Sequence, residues 1–208
     1  MLYDISRTIH PRTAVWPGDA RYQAHVSLST EVGNSVNLTT LTLSPHIGSH
    51  ADAPYHVLDL GGSADTLPLE PYIGRARVVT LARRSGGIVP ADCASTNLVG
   101  AERLLLHTWV SDLPDEEWPD DFPYATTELI DWLQGFGMRL LGVDMPSVDD
   151  FASKTLPCHR ALMRAGMAWL ETLCLRDVPD GDYELIALPL KLAGACASPV
   201  RAVLRSLD

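Results

Sequence analysis

Segment 44–56, SPHIGSHADAPYH, holds three of the chain's seven histidines and one aspartate within thirteen residues. His46 and His50 stand four apart, which on a helix would place them on one face. Pro45, Gly48 and Pro54 punctuate the segment, so a helix is not expected. A sharp loop leaving a strand fits better, with Gly48 allowing the turn. Such a loop can fold His46, His50 and Asp52 onto one point. Imidazole nitrogens plus a carboxylate form the ligand set of catalytic zinc or a related divalent ion. Three protein ligands would leave one position open for water. His56 completes the pattern H-x3-H-x-D-x3-H. Taken singly, each residue has a plainer reading. Lone histidines are mostly surface or satisfied polar residues, and that is the expectation for His10, His25 and His107. An aspartate beside prolines is often a turn residue. The combination is harder to explain as turn chemistry.

These residues need elements to hold them. Segment 35–43, SVNLTTLTL, alternates apolar and polar residues and reads as the strand that feeds the loop. Segments 75–82, 103–107 and 139–144 also read as strands. Segment 126–136 reads as a capped amphipathic helix opening at Thr126 or Thr127, and Gly137 would stop it. Segment 157–165 begins with Pro157, a favoured first helical position, and ends before Gly166. Segment 183–192 is strand-like, but Pro189 suggests an edge, bulge or break. Strands outnumber helices. The expected fold is α/β, a single domain over 1–208 with a mixed β-sheet flanked by helices and no clean doubly wound pattern.

Composition excludes several functions. The 208 residues are 46% hydrophobic and 20% charged, enough for a sizeable core. The formal charge of -10 and the lack of a basic stripe argue against nucleic acid or an anionic membrane as partner. The N-terminal MLYDISRTIHPR lacks the apolar core of a signal peptide, and there is no run of 18 apolar residues. Cys93, Cys158, Cys174 and Cys196 form no C-x-x-C pair and read as reduced, buried thiols of a cytoplasmic protein. Cys158 beside His159 could be a nucleophile, but nothing else supports that role.

HIGSHADAPYH resembles the H-x-G-T/A-H-x-D-x-P-x-H signature of the cyclase-like metal-dependent hydrolases. Further blocks are similar to the bacterial kynurenine formamidase (arylformamidase) family: VWPGD at 15–19, LPLEPYIGRARVV at 67–79, GVDMPSVD at 142–149, LPCHRALMRAGMAWLE at 156–171, VPDGDYELIALPLKL at 178–192 and ASPVRAVL at 197–204. The resemblance implies a swivelling β/β/α fold and a homodimer. It implies N-formyl-L-kynurenine as substrate, cleaved to L-kynurenine and formate in tryptophan degradation. It also implies two Zn2+ per subunit, with Mn2+ or another divalent ion possible. Under it, His46, His50, Asp52, His159 and Glu171 match metal ligands. His56 matches the catalytic proton carrier, and Trp16 matches a residue lining the substrate pocket. On one continuous helix His159 and Glu171 would lie about 120° off a shared face, and Gly166 offers a break between them. Without the resemblance Glu171 would read as a solvated residue and Trp16 as core.

Two departures stand out. Ser49 occupies a position where the signature has Thr or Ala, and Cys196 one where Asp is expected. The rival readings are an isatin hydrolase-like member of the same superfamily and a non-catalytic metal or small-molecule binding protein on the same scaffold. Glu171 leans toward the two-metal formamidase, and the spare proton carrier His56 leans toward an enzyme.

Overall fold

The computed structural model describes residues 1–207. The chain forms β1 (Leu2–Asp4), β2 (Gln23–Leu28), β3 (Leu38–Thr42), β4 (His50–Asp52), β5 (Ile73–Thr80), β6 (Gly86–Ile88), β7 (Arg103–His107) and β8 (Pro123–Ala125). Helix α1 (Thr127–Gly135), β9 (Leu140–Val143), α2 (Pro157–Ala165), β10 (Ala168–Glu171), β11 (Gly181–Ile186), β12 (Ala197–Pro199) and β13 (Val203–Ser206) follow. Nine strands make one curled sheet in the order β1-β13-β11-β5-β7-β9-β10-β4-β12. Strands β5, β7, β9 and β10 run parallel, and antiparallel strands flank them on both sides. This is the mixed sheet of a single α/β domain.

Alternation along the central strands divides the core in two. Leu104, Leu106, Leu141 and Val143 face the helices, where they meet Leu129, Ile130 and Leu133 of α1 and Ala161 and Leu162 of α2. Both helices therefore lie over the same side of the sheet. Leu105, Leu140, Ala76 and Val78 point the other way, into a second cluster with Tyr72, Leu185 and Leu204 enclosed by the curl. Gly142 is required between them. A Cβ there would collide with Leu105 Cδ2 and lie 3.0 Å from Leu173 Cδ1.

Helix α1 starts as its sequence indicates, with Thr126 accepting a bond from Leu129 N. Helix α2 runs over the expected residues and stops at Gly166 in the left-handed conformation, φ +66°. The structure refines three expectations. The strand within 35–43 is real, but it pairs only with β2 in a hairpin outside the main sheet. Every residue of both strands is exposed, so its alternation does not mark a core face. The strand within 183–192 starts at Gly181 and ends at Ile186, three residues before Pro189. Segment 44–56 is more than a loop, since His50–Asp52 joins the main sheet and Pro54–His56 forms a 3-10 turn. Among the described residues no helix is long and apolar enough to cross a membrane.

Candidate metal centre and active site

Strand pairing assembles the site. In β4, His50 and Asp52 are two apart and share a face, while Ala51 between them enters the enclosed core. Strand β10 runs antiparallel beside it and sets Glu171 directly opposite His50. On the other edge β12 sets Ala197 opposite Asp52. The left-handed residue Gly166 turns the chain from α2 into β10. His159 thus comes from a helix and Glu171 from a strand, which removes the 120° conflict of a continuous helix. Thr172 then sits at φ +54°, a conformation that a β-branched residue rarely adopts. Its hydroxyl donates to the Gly48 carbonyl, and its amide donates to Met145 O at 3.0 Å.

The five expected ligand residues converge. His46 Nδ1 lies 3.0 Å and His50 Nε2 3.4 Å from Asp52 Oδ1. His159 Nε2 lies 3.4 Å from the other oxygen, Asp52 Oδ2. Glu171 closes the group, with Oε2 3.4 Å from His50 Nε2 and Oε1 3.3 Å from His159 Nε2. His50, Asp52, His159 and Glu171 are buried. His56 stands at the rim, its side chain 30% exposed and its Nε2 3.9 Å from Asp52 Oδ2.

The electrostatics follow from this crowding. Burial alone would lower the His46 and His50 pKa values. Asp52 and Cys196 reverse that at His46 and hold it up at about 10, and Asp52 and Glu171 do so at His50, held up at about 9. His159 is raised for the same reason, against burial, by Glu171, Asp149 and Asp52. Burial would raise Asp52, but the three imidazoles hold it well below the usual carboxylate range. His56 moves down, because burial and the neighbouring His46 and His159 outweigh the pull of Asp52.

The donor set fits a divalent cation. His50 Nε2 and Asp52 Oδ1 are buried and make no hydrogen bond, although they aim at a common point. An orphaned nitrogen and carboxylate oxygen side by side cost free energy unless an ion satisfies them. Three groups meet the spacing for an ion, His46 with His50 and Asp52, Asp52 with His56 and His159, and His46 with His56 and Cys196.

Sequence reasoning missed the residues behind the cluster. Asp149 accepts from His159 Nδ1 at 2.6 Å, from His159 N at 3.0 Å and from Cys158 N at 2.9 Å. It holds the imidazole and satisfies the start of α2 together. A signal existed, because α2 opens on Leu156 and Pro157 with no capping side chain of its own. Asp144 is fully buried and accepts from the backbone and hydroxyl of both Thr108 and Ser111. That clamps the end of β9 to the loop after β7. Ser49, one of the two departures, makes contacts of its own. Its hydroxyl donates to Thr172 O at 2.8 Å and accepts from Arg7 N at 3.0 Å. Cys196, the other, lies 3.2 Å from His46 Nε2.

Trp16 packs against Phe151 at 5.0 Å and edge-on against Trp118 at 5.6 Å. Trp118 shares with His46 the lining of one cleft, so Trp16 backs the cleft wall through Trp118. His10, His25 and His107 lie outside the cluster, with His10 beside Glu116 and His107 beside Thr80. The cysteines are free, but only Cys93 and Cys158 are fully buried, while Cys174 and Cys196 are half-buried. Cys158 donates to Ala125 O, and burial pushes its thiol far up, so it is no nucleophile.

Comparisons with known proteins agree with this geometry. Residues 3–150 match the Cyclase family model. The chain is 46% identical to a kynurenine formamidase of Salinibacter ruber (strain DSM 13855 / M31), covering 98% of this chain and 97% of that protein. It is 43% identical to a kynurenine formamidase of Maricaulis maris (strain MCS10), covering 99% and 98%. A solved structure described as a potential metal-dependent hydrolase with cyclase activity superposes with a TM-score of 0.84 at 27% identity, over 98% of this chain and 96% of that one. The chain belongs to the Cyclase family and groups within it with the kynurenine formamidases.

Proposed function

We propose that this protein hydrolyses N-formyl-L-kynurenine to L-kynurenine and formate. The observation that carries the reading is the convergence of half-buried His46 with buried His50, Asp52, His159 and Glu171, and of His56 at the open edge of that cluster. His46, His50, Asp52, His159 and Glu171 would hold zinc. Two ions are favoured because the oxygens of Asp52 face different partners, Oδ1 toward His46 and His50 and Oδ2 toward His159. When bound, such ions polarise a carbonyl oxygen and lower the pKa of water toward about 7.

The chain's own residues supply the rest. His56 Nε2 takes a proton from the attacking water and returns it to the anilide nitrogen, which leaves poorly as an anion. Asp52 stands on the inner side of His56 and steadies the imidazolium formed between those transfers. Trp16, with Trp118 and Phe151, offers an apolar wall to the aryl ketone. Glu171, buried among the imidazoles, favours this reading over the isatin hydrolase-like one.

The reading includes a homodimer. The β2–β3 hairpin exposes Val26, Leu28, Leu38 and Leu41, and an isolated two-stranded hairpin is marginal in water. A second copy would cover this hairpin, which sedimentation of the purified protein checks.

Formate release from N-formylkynurenine, measured with and without a chelator, tests the function, with isatin as the comparison substrate. Activity on N-formylkynurenine that disappears on chelation is expected. His56→Ala should retain the metal and lose roughly 100-fold or more in turnover. Full activity in metal-free protein, or an unimpaired His56→Ala, sinks the reading.

A further inference from the structure

Each imidazole that aims one nitrogen into the cluster is held at its other nitrogen. His50 Nδ1–H donates to the Gly48 carbonyl at 2.9 Å. His159 Nδ1–H donates to Asp149 at 2.6 Å. Both rings therefore present Nε2 to the centre. His46 is turned the other way, with Nδ1 facing Asp52 Oδ1 at 3.0 Å and Nε2 meeting Cys196 Sγ at 3.2 Å. We propose that Cys196 is a positioning residue, whose sulfur accepts the Nε2–H bond that fixes the tautomer of His46 and aims Nδ1 at the metal. This inference rests on the reading of His46 as a ligand.

Three observations carry it. His46 Nδ1 and the orphaned His50 Nε2 both face Asp52 Oδ1, which places the centre on the Nδ1 side of His46. The grouping of His46, His56 and Cys196, with sulfur as a ligand, is what the cobalt spectrum below tests. A neutral imidazole that coordinates through Nδ1 carries its proton on Nε2, and that proton needs a fixed acceptor to select the tautomer. The sulfur is held in place by its backbone, because Cys196 O accepts from Ala53 N at 2.9 Å and the next residue pairs with Asp52 across β12 and β4. Strand pairing thus locks ligand and positioning residue together.

The three holds are unequal. A carboxylate grips His159 and a carbonyl grips His50, while sulfur is a weak acceptor. His46 is also the most exposed of the three rings, its side chain 19% accessible against 2% for each of the others. The metal is consequently most easily loosened at His46, through a half-buried thiol that reagents can reach.

Zinc affinity of the full chain, measured by competition with a chelating dye, tests the assignment. Cys196→Ala should bind zinc roughly 10- to 100-fold more weakly, with the metal-free protein unfolding as the wild type does. Cys196→Asp restores an acceptor to Nε2 and should recover wild-type affinity. Iodoacetamide applied to metal-free wild type should weaken zinc binding to the same degree, and should add nothing to Cys196→Ala. The cobalt-substituted protein should lack a thiolate-to-cobalt charge-transfer band. Affinity of Cys196→Ala within twofold of wild type overturns the proposal. So does a charge-transfer band that this substitution abolishes, since the sulfur would then be a ligand. His46→Ala separates the two ideas. Unchanged zinc affinity there sinks the ligand reading itself, whereas a loss at His46 without one at Cys196 sinks the positioning role alone.

Discussion

Replacing Asp149 separates the support of the site from its ligands. Asp149→Ala removes the acceptor for three buried donors, His159 Nδ1, His159 N and Cys158 N. Losing the two backbone bonds resembles losing a helix cap, about 1–2 kcal/mol. The unpaired imidazole N–H adds about 1–3 kcal/mol. The sum, roughly 2–5 kcal/mol, lowers Tm by roughly 4–20 °C in a chain of this size, at about 2–4 °C per kcal/mol. The freed ring can also rotate or change tautomer, so zinc affinity should fall about 10- to 100-fold. Asp149→Asn behaves differently. Its carbonyl oxygen can take the place of Oδ2, which serves both His159 donors, while its amide meets only Cys158 N. That variant should lose roughly 1–2 kcal/mol and bind zinc within about tenfold of wild type. Urea unfolding of the metal-free proteins gives the first quantity and chelator competition the second. An Asp149→Ala protein with wild-type zinc affinity, or one destabilised by less than about 1 kcal/mol, would refute the reasoning.

Two further outcomes concern the sheet. Arg77 and then Arg75 hold the Asp182 carboxyl down at about 2, across the β5–β11 pair. A pKa depressed in the folded state adds stability above the unfolded value near 3.9, and that contribution is lost as pH falls toward about 2. Wild type should therefore exceed Asp182→Asn by about 1 kcal/mol at pH 6, after allowing for solvent screening, with most of the difference gone near pH 2 and the rest lost below it. Equal pH profiles in chemical unfolding would contradict this. Gly142→Ala should destabilise by about 1–3 kcal/mol, since its methyl group displaces Leu105 and Leu173. An unchanged urea midpoint would show that the enclosed core has slack there.

Much of the site was legible because short-range patterns carry it. His46, His50, Asp52 and His56 lie within eleven residues, and their spacing alone suggested a common point. The two helices were legible from Thr126, Pro157 and Gly166, where local backbone preference decides the boundary. Glu171 was not, because its place beside His50 depends on β10 pairing with β4, a contact 121 residues apart in sequence that no local period records. Asp149 was hidden for a related reason, since it caps α2 from outside the helix. Alternation found β3, but period-2 patterning marks two kinds of side chain and does not say what covers them.

The position of β4 also orders events during synthesis. Both of its neighbours, β10 and β12, begin more than 110 residues downstream of Asp52. On a growing chain His50–Asp52 therefore waits as an unpaired strand while the parallel centre β5–β7–β9 can already form. The approach of Glu171 to His50 is then a late event, since β10 can pair with β4 only once both have been made. A chain stalled before β12 would have most of the fold and lack one edge of the site.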